Sequence, residues 1–168
     1  IKVGTLLPLT GDLGELGVPI KNGAILPFAQ LKGETDFTLQ NQVEDTQTDP
    51  NAAQSAAQSL VNAGYPAVTG AASSGVSVQV YKNVFIPNGI CACSPASTSP
   101  EITDLQDNGL VFRTPPSDAL QGKVLSQVAT EKKGAKSAAT MFVNNSYGQS
   151  LSETFVSAFE EAGGQVPN

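Results

Sequence analysis

Histidine is absent from this 168-residue chain, which removes the commonest metal ligand and the commonest general base at neutral pH. Arginine occurs once, as Arg113, and the nine basic residues face fifteen acidic ones, for a net charge of −6. Without a basic cluster the electrostatic footprint of a nucleic-acid binder is missing. No apolar run approaches the ~20 residues that a membrane-crossing helix needs, so no span is expected and the chain should be soluble. The first residues already read as a strand, so any targeting segment is expected to have been removed or omitted.

Only two cysteines are present, Cys91 and Cys93. Two apart on a strand-like run, they share one sheet face. Their Cα atoms would then be about 6.5–7 Å apart with parallel Cβ vectors, which is poor disulfide geometry. They read as buried thiols, and two thiols alone make a weak case for zinc. Also missing are a glycine-rich phosphate loop of the P-loop kind and an acidic cluster at the end of the first strand, where Pro8-Leu9-Thr10-Gly11 precedes Asp12. Neither catalysis nor a cofactor or metal is expected.

What is present is a core-forming chain, 40% hydrophobic, long enough for one domain or part of a larger protein. Strand-like runs occur at 1–9, 37–45, 67–72, 88–95, 110–115 and 138–144, and helical patterns separate most of them. That alternation predicts an α/β fold with a parallel sheet and helices on both faces. The clearest helix spans 50–63: Asp49 suits its cap, Pro50 its first position, Ala53, Ala56, Ala57, Leu60 and Val61 form a stripe, and Gly64 ends it. A first helix over 16–31 should be kinked or shortened by Pro27. Further helices are expected at 75–86, 118–133 and 148–162, the last with Leu151, Phe155, Phe159 and Ala162 at helical spacing for core packing.

Two segments stand out. Val68-Thr69-Gly70-Ala71-Ala72-Ser73-Ser74-Gly75 and Cys93-Ser94-Pro95-Ala96-Ser97-Thr98-Ser99-Pro100-Glu101 are apolar runs that stop abruptly in small hydroxyl residues. Neighbouring parallel strands ending this way deliver backbone N–H groups, hydroxyls and a helix start to one crevice. A polar ligand with a carboxylate suits such a crevice better than a reaction does.

These features, with Ile1-Lys2-Val3-Gly4 through Leu9-Thr10-Gly11, Glu44-Asp45 through Asp49-Pro50, Phe112-Arg113-Thr114, Ser117-Asp118 with Gln121-Gly122, and Tyr147-Gly148, follow one order along the whole chain. In that order and spacing the chain resembles the periplasmic leucine/isoleucine/valine-binding proteins of ABC importers. The resemblance implies a type I periplasmic-binding-protein lobe: a flavodoxin-like parallel sheet of order 2-1-3-4-5 over residues 1–117, then the incomplete start of a second lobe over 118–168. With that order the topological switch falls between the first and third strands, and the crevice should open beside the ends of the runs at 1–9 and 67–72.

By the same resemblance, Ser74 holds a ligand carboxylate through its N–H and hydroxyl. The Ala96 carbonyl accepts from an α-ammonium, Ser97 lies in that loop, and Thr98 serves both charged ends. Asp118 is an acid near the ammonium, and Tyr147 is the aromatic wall supplied by the second lobe. Structural readings stand beside each: a helix cap for Ser74 and for Asp118, a plain turn around Thr98, a surface tyrosine for Tyr147. Leu16 falls near a position where relatives present a large aromatic, and the family's disulfide in this lobe has no counterpart here. The implied function is reversible binding of a small amino acid, branched-chain or similar, or a related carboxylate, in an interlobe cleft. The location is periplasmic or extracellular, with a membrane permease as partner and a lipid anchor on the parent left open. The same fold as a receptor's sensing domain is the alternative.

Overall fold

The computed structural model describes residues 1–167. Its contacts divide the chain into two units, one made of Ile1–Ser97 and Leu105–Pro115, the other of Thr98–Asp104 and the chain from Pro116 onward.

The first unit is a five-stranded parallel sheet. Its strands are β1 (Lys2–Leu7), β2 (Gln40–Asp45), β3 (Ala67–Gly70), β4 (Cys91–Ser94) and β5 (Val111–Arg113), in the order β2-β1-β3-β4-β5. Helices α1 (Gly14–Gln30), α2 (Pro50–Asn62) and α3 (Ser74–Val80) connect the first four strands. α3 is shorter than expected because one wide turn at Tyr81–Phe85 and a tight one at Ile86–Asn88 take over before β4. In α2, Asp49 accepts the N–H groups of Asn51 and Ala52, and Ala53, Ala57 and Leu60 are fully buried. Leu60 reaches within 3.0 Å of where a Gly4 Cβ would stand, so the small residues of helix and strand permit close docking. Leu6, Leu7, Val68, Val76, Val80, Tyr81 and Phe85 complete the core.

Four expectations need correction. Pro27 does not shorten α1, which runs on to Gln30 with Pro19 and Pro27 both inside it. Proline forfeits one backbone bond, but only a last turn follows Pro27, and the Leu31 N–H closes that turn on the Pro27 carbonyl at 2.9 Å. Cys91 and Cys93 are free but half-buried, because it is Ala92 and Ser94, alternating with them along β4, that face the packed side of the sheet. Residues 138–144 form no strand; only an isolated bridge pairs Ser137 with Gln165. An extended segment becomes a strand when a neighbour accepts its ladder, and here the pairing stops at the Ala138 N–H on the Gln165 carbonyl. Ala162, finally, is exposed just past the helix that ends at Glu161.

The second unit packs α4 (Asp118–Gln127), continued by a wide turn through Lys132, against α5 (Ser146–Glu161). A Cβ at Gly122 would fall 2.5 Å from Thr154 Oγ1 and 2.7 Å from the Phe155 nitrogen, so the helices meet backbone to backbone. Ser126 donates its hydroxyl to the Ala158 carbonyl at 2.9 Å across the same seam. Phe159 is fully buried, with Phe155 stacked on it at a ring separation of 5.4 Å.

Candidate functional site

In the first unit the sheet order puts β1 and β3 side by side at the switch point, and the loops after β3 and β4 rise from neighbouring strands. β3 ends at Gly70, whose φ of 129° lies in the region glycine favours. A Cβ there would stand 1.9 Å from the Leu6 carbonyl oxygen, so β1 and β3 draw together at this residue only because it has none. The next three residues lead to α3, with Ser73 at the cap position in extended conformation. Ser74 is therefore the first helical residue and not the cap; it is 3% exposed.

The loop after β4 is built on buried hydroxyls. Ser94 donates to the Ala71 carbonyl at 2.5 Å and accepts the Ser97 N–H at 2.9 Å. Ser97, 1% exposed, lies 2.7 Å from Ser77 hydroxyl to hydroxyl. Ala96 beside it is half-buried. Below, Tyr81 donates its hydroxyl to the Gly70 carbonyl at 2.7 Å, and burial pushes its phenol far above the ordinary value, leaving it a neutral donor. Of this hydroxyl cluster, Ser94 and Ser97 lie in the hydroxyl-rich run that the sequence displays, whereas Ser77 and Tyr81 do not. Tyr81 hid within an apolar helical stretch, and a serine's partners are set by the fold.

A second anchor was likewise missed as a contact. Asp45 at the end of β2 accepts the N–H groups of Leu9, Thr10 and Gln47 and the Thr10 hydroxyl. Burial alone would raise its carboxyl, but those hydrogen bonds outweigh it, and the group sits below the ordinary carboxylate value. Thr48 then accepts the Leu13 N–H, tying the start of α1 to the same turn. Leu16 on α1 is 62% exposed.

In the second unit Thr98 and Asp118 meet directly. The Asp118 N–H donates to the Thr98 carbonyl, and the Thr98 hydroxyl donates to Asp118 Oδ2, both at 2.9 Å. Asp118 is fully buried. Ser117, not Asp118, caps α4, accepting the Ala119 N–H. Tyr147, at the second position of α5 and 40% exposed, lines an apolar groove of about 600 Å³ with Leu125, Val128, Phe142 and Phe155. Thus the first unit gathers Ser74, Ala96 and Ser97 around the ends of two adjacent strands, and the second pairs Thr98 with Asp118 while Tyr147 lies on another helix. Among the described residues no group of three or more acids and thiols is disposed to hold a metal ion, and no helix is long and apolar enough to cross a membrane.

A family model described as periplasmic binding protein matches residues 1–168. The leucine-, isoleucine-, valine-, threonine- and alanine-binding protein of Pseudomonas aeruginosa is 28% identical over 169 residues, covering 99% of this chain and 45% of its own length. Among solved structures, a leucine-binding protein of Thermotoga maritima superposes with a TM-score of 0.87 at 27% identity, over 99% of this chain and 47% of that one. An ABC-transporter solute-binding protein of R. palustris, solved with benzoate, gives 0.85 at 26% identity, over 98% of this chain and 46% of that one. The chain thus spans about half the length of the proteins it matches.

Proposed function

We propose, since the chain belongs to the periplasmic binding protein family, that the protein is the solute-binding component of an ABC importer and works outside the cytoplasm. Its cargo is a small amino acid or a related carboxylate, bound reversibly and without covalent change, and a membrane permease receives it. The observation that carries the reading is the pair of hydroxyl-rich loops at the ends of β3 and β4, next to the switch point of the sheet. In open α/β sheets ligands bind at that place.

In this proposal the Ser74 N–H and hydroxyl take the carboxylate, aided by the backbone amides around it. The Ala96 carbonyl and the buried Asp118 take a cationic end, Thr98 serves both charged ends, Ser97 lies in the same loop, and Tyr147 offers a flat wall with a polar tip. The chain is proposed to comprise a first ligand-binding lobe, 1–117, and the beginning of a second, 118–168, that close on the cargo between them. Closure would exclude water, and each charged hydrogen bond would strengthen as the local dielectric falls.

Relatives named for branched-chain amino acids and a relative solved with benzoate define the panel to test. A thermal-shift screen of the full-length protein against leucine, isoleucine, valine, threonine, alanine and benzoate should show a selective rise in Tm. A ligand at a hundred times its Kd stabilises the native state by about 2.7 kcal/mol. Thr98→Ala should abolish the shift. A folded protein unmoved by every member, or an unchanged shift in the variant, would refute the reading or its site.

A further inference from the structure

Ser94 occupies the buried end of a central parallel strand, a position that such sheets normally fill with valine, isoleucine or leucine. A hydroxyl there is costly unless its hydrogen-bonding capacity is met. It is met in full. The one proton goes to the Ala71 carbonyl at 2.5 Å, and the oxygen accepts the N–H groups of Ser97 at 2.9 Å and Ala96 at 3.3 Å. No capacity is left for a ligand. What the three bonds join is the loop after β3, which leads to Ser74, and the loop after β4, which carries Ala96 and Ser97.

The neighbouring hydroxyls reinforce the same joint. Ser77, on α3, meets Ser97 at 2.7 Å, Ser97 approaches the Ala71 carbonyl at 3.4 Å, and Tyr81 holds the adjacent Gly70 carbonyl at 2.7 Å. Ser77, Ser94 and Tyr81 are fully buried and Ser97 is 1% exposed. Water therefore cannot substitute for a missing partner.

We infer that Ser94 is a positioning residue of the solute site: it locks the loop after β3 to the loop after β4, so that Ser74 and Ala96 are held at fixed separation before any ligand arrives. The inference rests on the solute-binding reading above. Fixing the loops in advance removes an ordering cost from binding, so loss of the lock lowers affinity in addition to the stability that any orphaned buried hydrogen bond costs.

The test uses the full-length protein with Ser94→Ala, Ser94→Thr and, as a comparison, Ser126→Ala, which deletes a buried hydroxyl bonded to the Ala158 carbonyl between α4 and α5. Calorimetric titration with leucine and with benzoate reads affinity, and hydrogen exchange on the ligand-free protein reads loops 71–77 and 95–98. Ser94→Ala should weaken the bound probe by about tenfold or more and speed exchange in both loops, as expected when a buried acceptor and two donors lose their partner. Ser94→Thr, which keeps the hydroxyl, should recover most of both. Ser126→Ala should lower Tm yet leave affinity and loop exchange as in the parent. Binding by Ser94→Ala within about twofold of the parent, or loop exchange no faster than in Ser126→Ala, would overturn the inference. If the parent bound neither probe nor any other member of the panel above, the solute-binding reading would lose its support, while the exchange comparison would still decide whether Ser94 locks the loops.

Discussion

Single residues carry the loop geometry of the first unit. Asp45 gathers three backbone N–H groups and one hydroxyl from the turns after β1 and β2, and its pKa in the fold lies below the ordinary 3.8. The stabilisation it gives is complete above that ordinary value and is lost as pH falls through the lower folded one. Asp45→Asn should therefore lower the urea midpoint at neutral pH, and the gap to the parent should close as the solution is taken below about pH 4. A gap independent of pH would show that the ionised carboxylate is not the operative group. Ser74 and Thr98 lie in hydroxyl-rich ends of apolar runs that the sequence displays, whereas the roles proposed for them and for Ala96 come from the family resemblance alone. Ser77, Tyr81 and the partners of Ser94 escaped because nothing local distinguishes a serine bonded across two loops from one in solvent.

Secondary-structure elements were legible wherever their own residues decide them. α2 is the case in point: Asp49 and Pro50 specify its start as expected, and Ala53, Ala57 and Leu60 of the expected stripe are buried while Ala56 and Val61 are half-buried. Asp49→Ala should cost about 1 kcal/mol, the usual worth of a helix N-cap, when followed by urea denaturation; a loss under a few tenths would mean that Pro50 alone defines the helix start. Elements decided by partners were not legible. The apolar run at 138–144 has strand character, yet Ser137 finds only Gln165 across from it. Pro27 does not shorten its helix, since a breaker placed one turn from a helix end leaves little helix to lose.

At the scale of the whole molecule, the second unit exposes several large apolar side chains. Met141 is 99% exposed, Val143 67%, and Leu120, Val124, Leu125 and Val128 each exceed 40%. Patches of this kind promote association. The 168-residue chain expressed alone should elute from size exclusion at a concentration-dependent volume and bind a hydrophobic dye. Monomer elution unchanged over a hundredfold dilution would contradict this. The sheet order was legible through the family resemblance, not through composition: alternation alone predicts a parallel sheet but leaves the strand order open.

The polypeptide passes between the units three times, after Ser97, after Asp104 and after Pro115, because Thr98–Asp104 belongs with the second unit while β5 returns to the first. Neither unit is therefore a contiguous stretch that can be excised. A clone ending at Ser97 forfeits β5, and one ending at Pro115 keeps it only by carrying a stretch that packs with the excluded part. A protease nick at any one of the three crossings would likewise divide the sequence without separating one intact unit from the other. Separating the units takes a cut at all three crossings, and domain-by-domain studies built on simple truncation would report on damaged pieces.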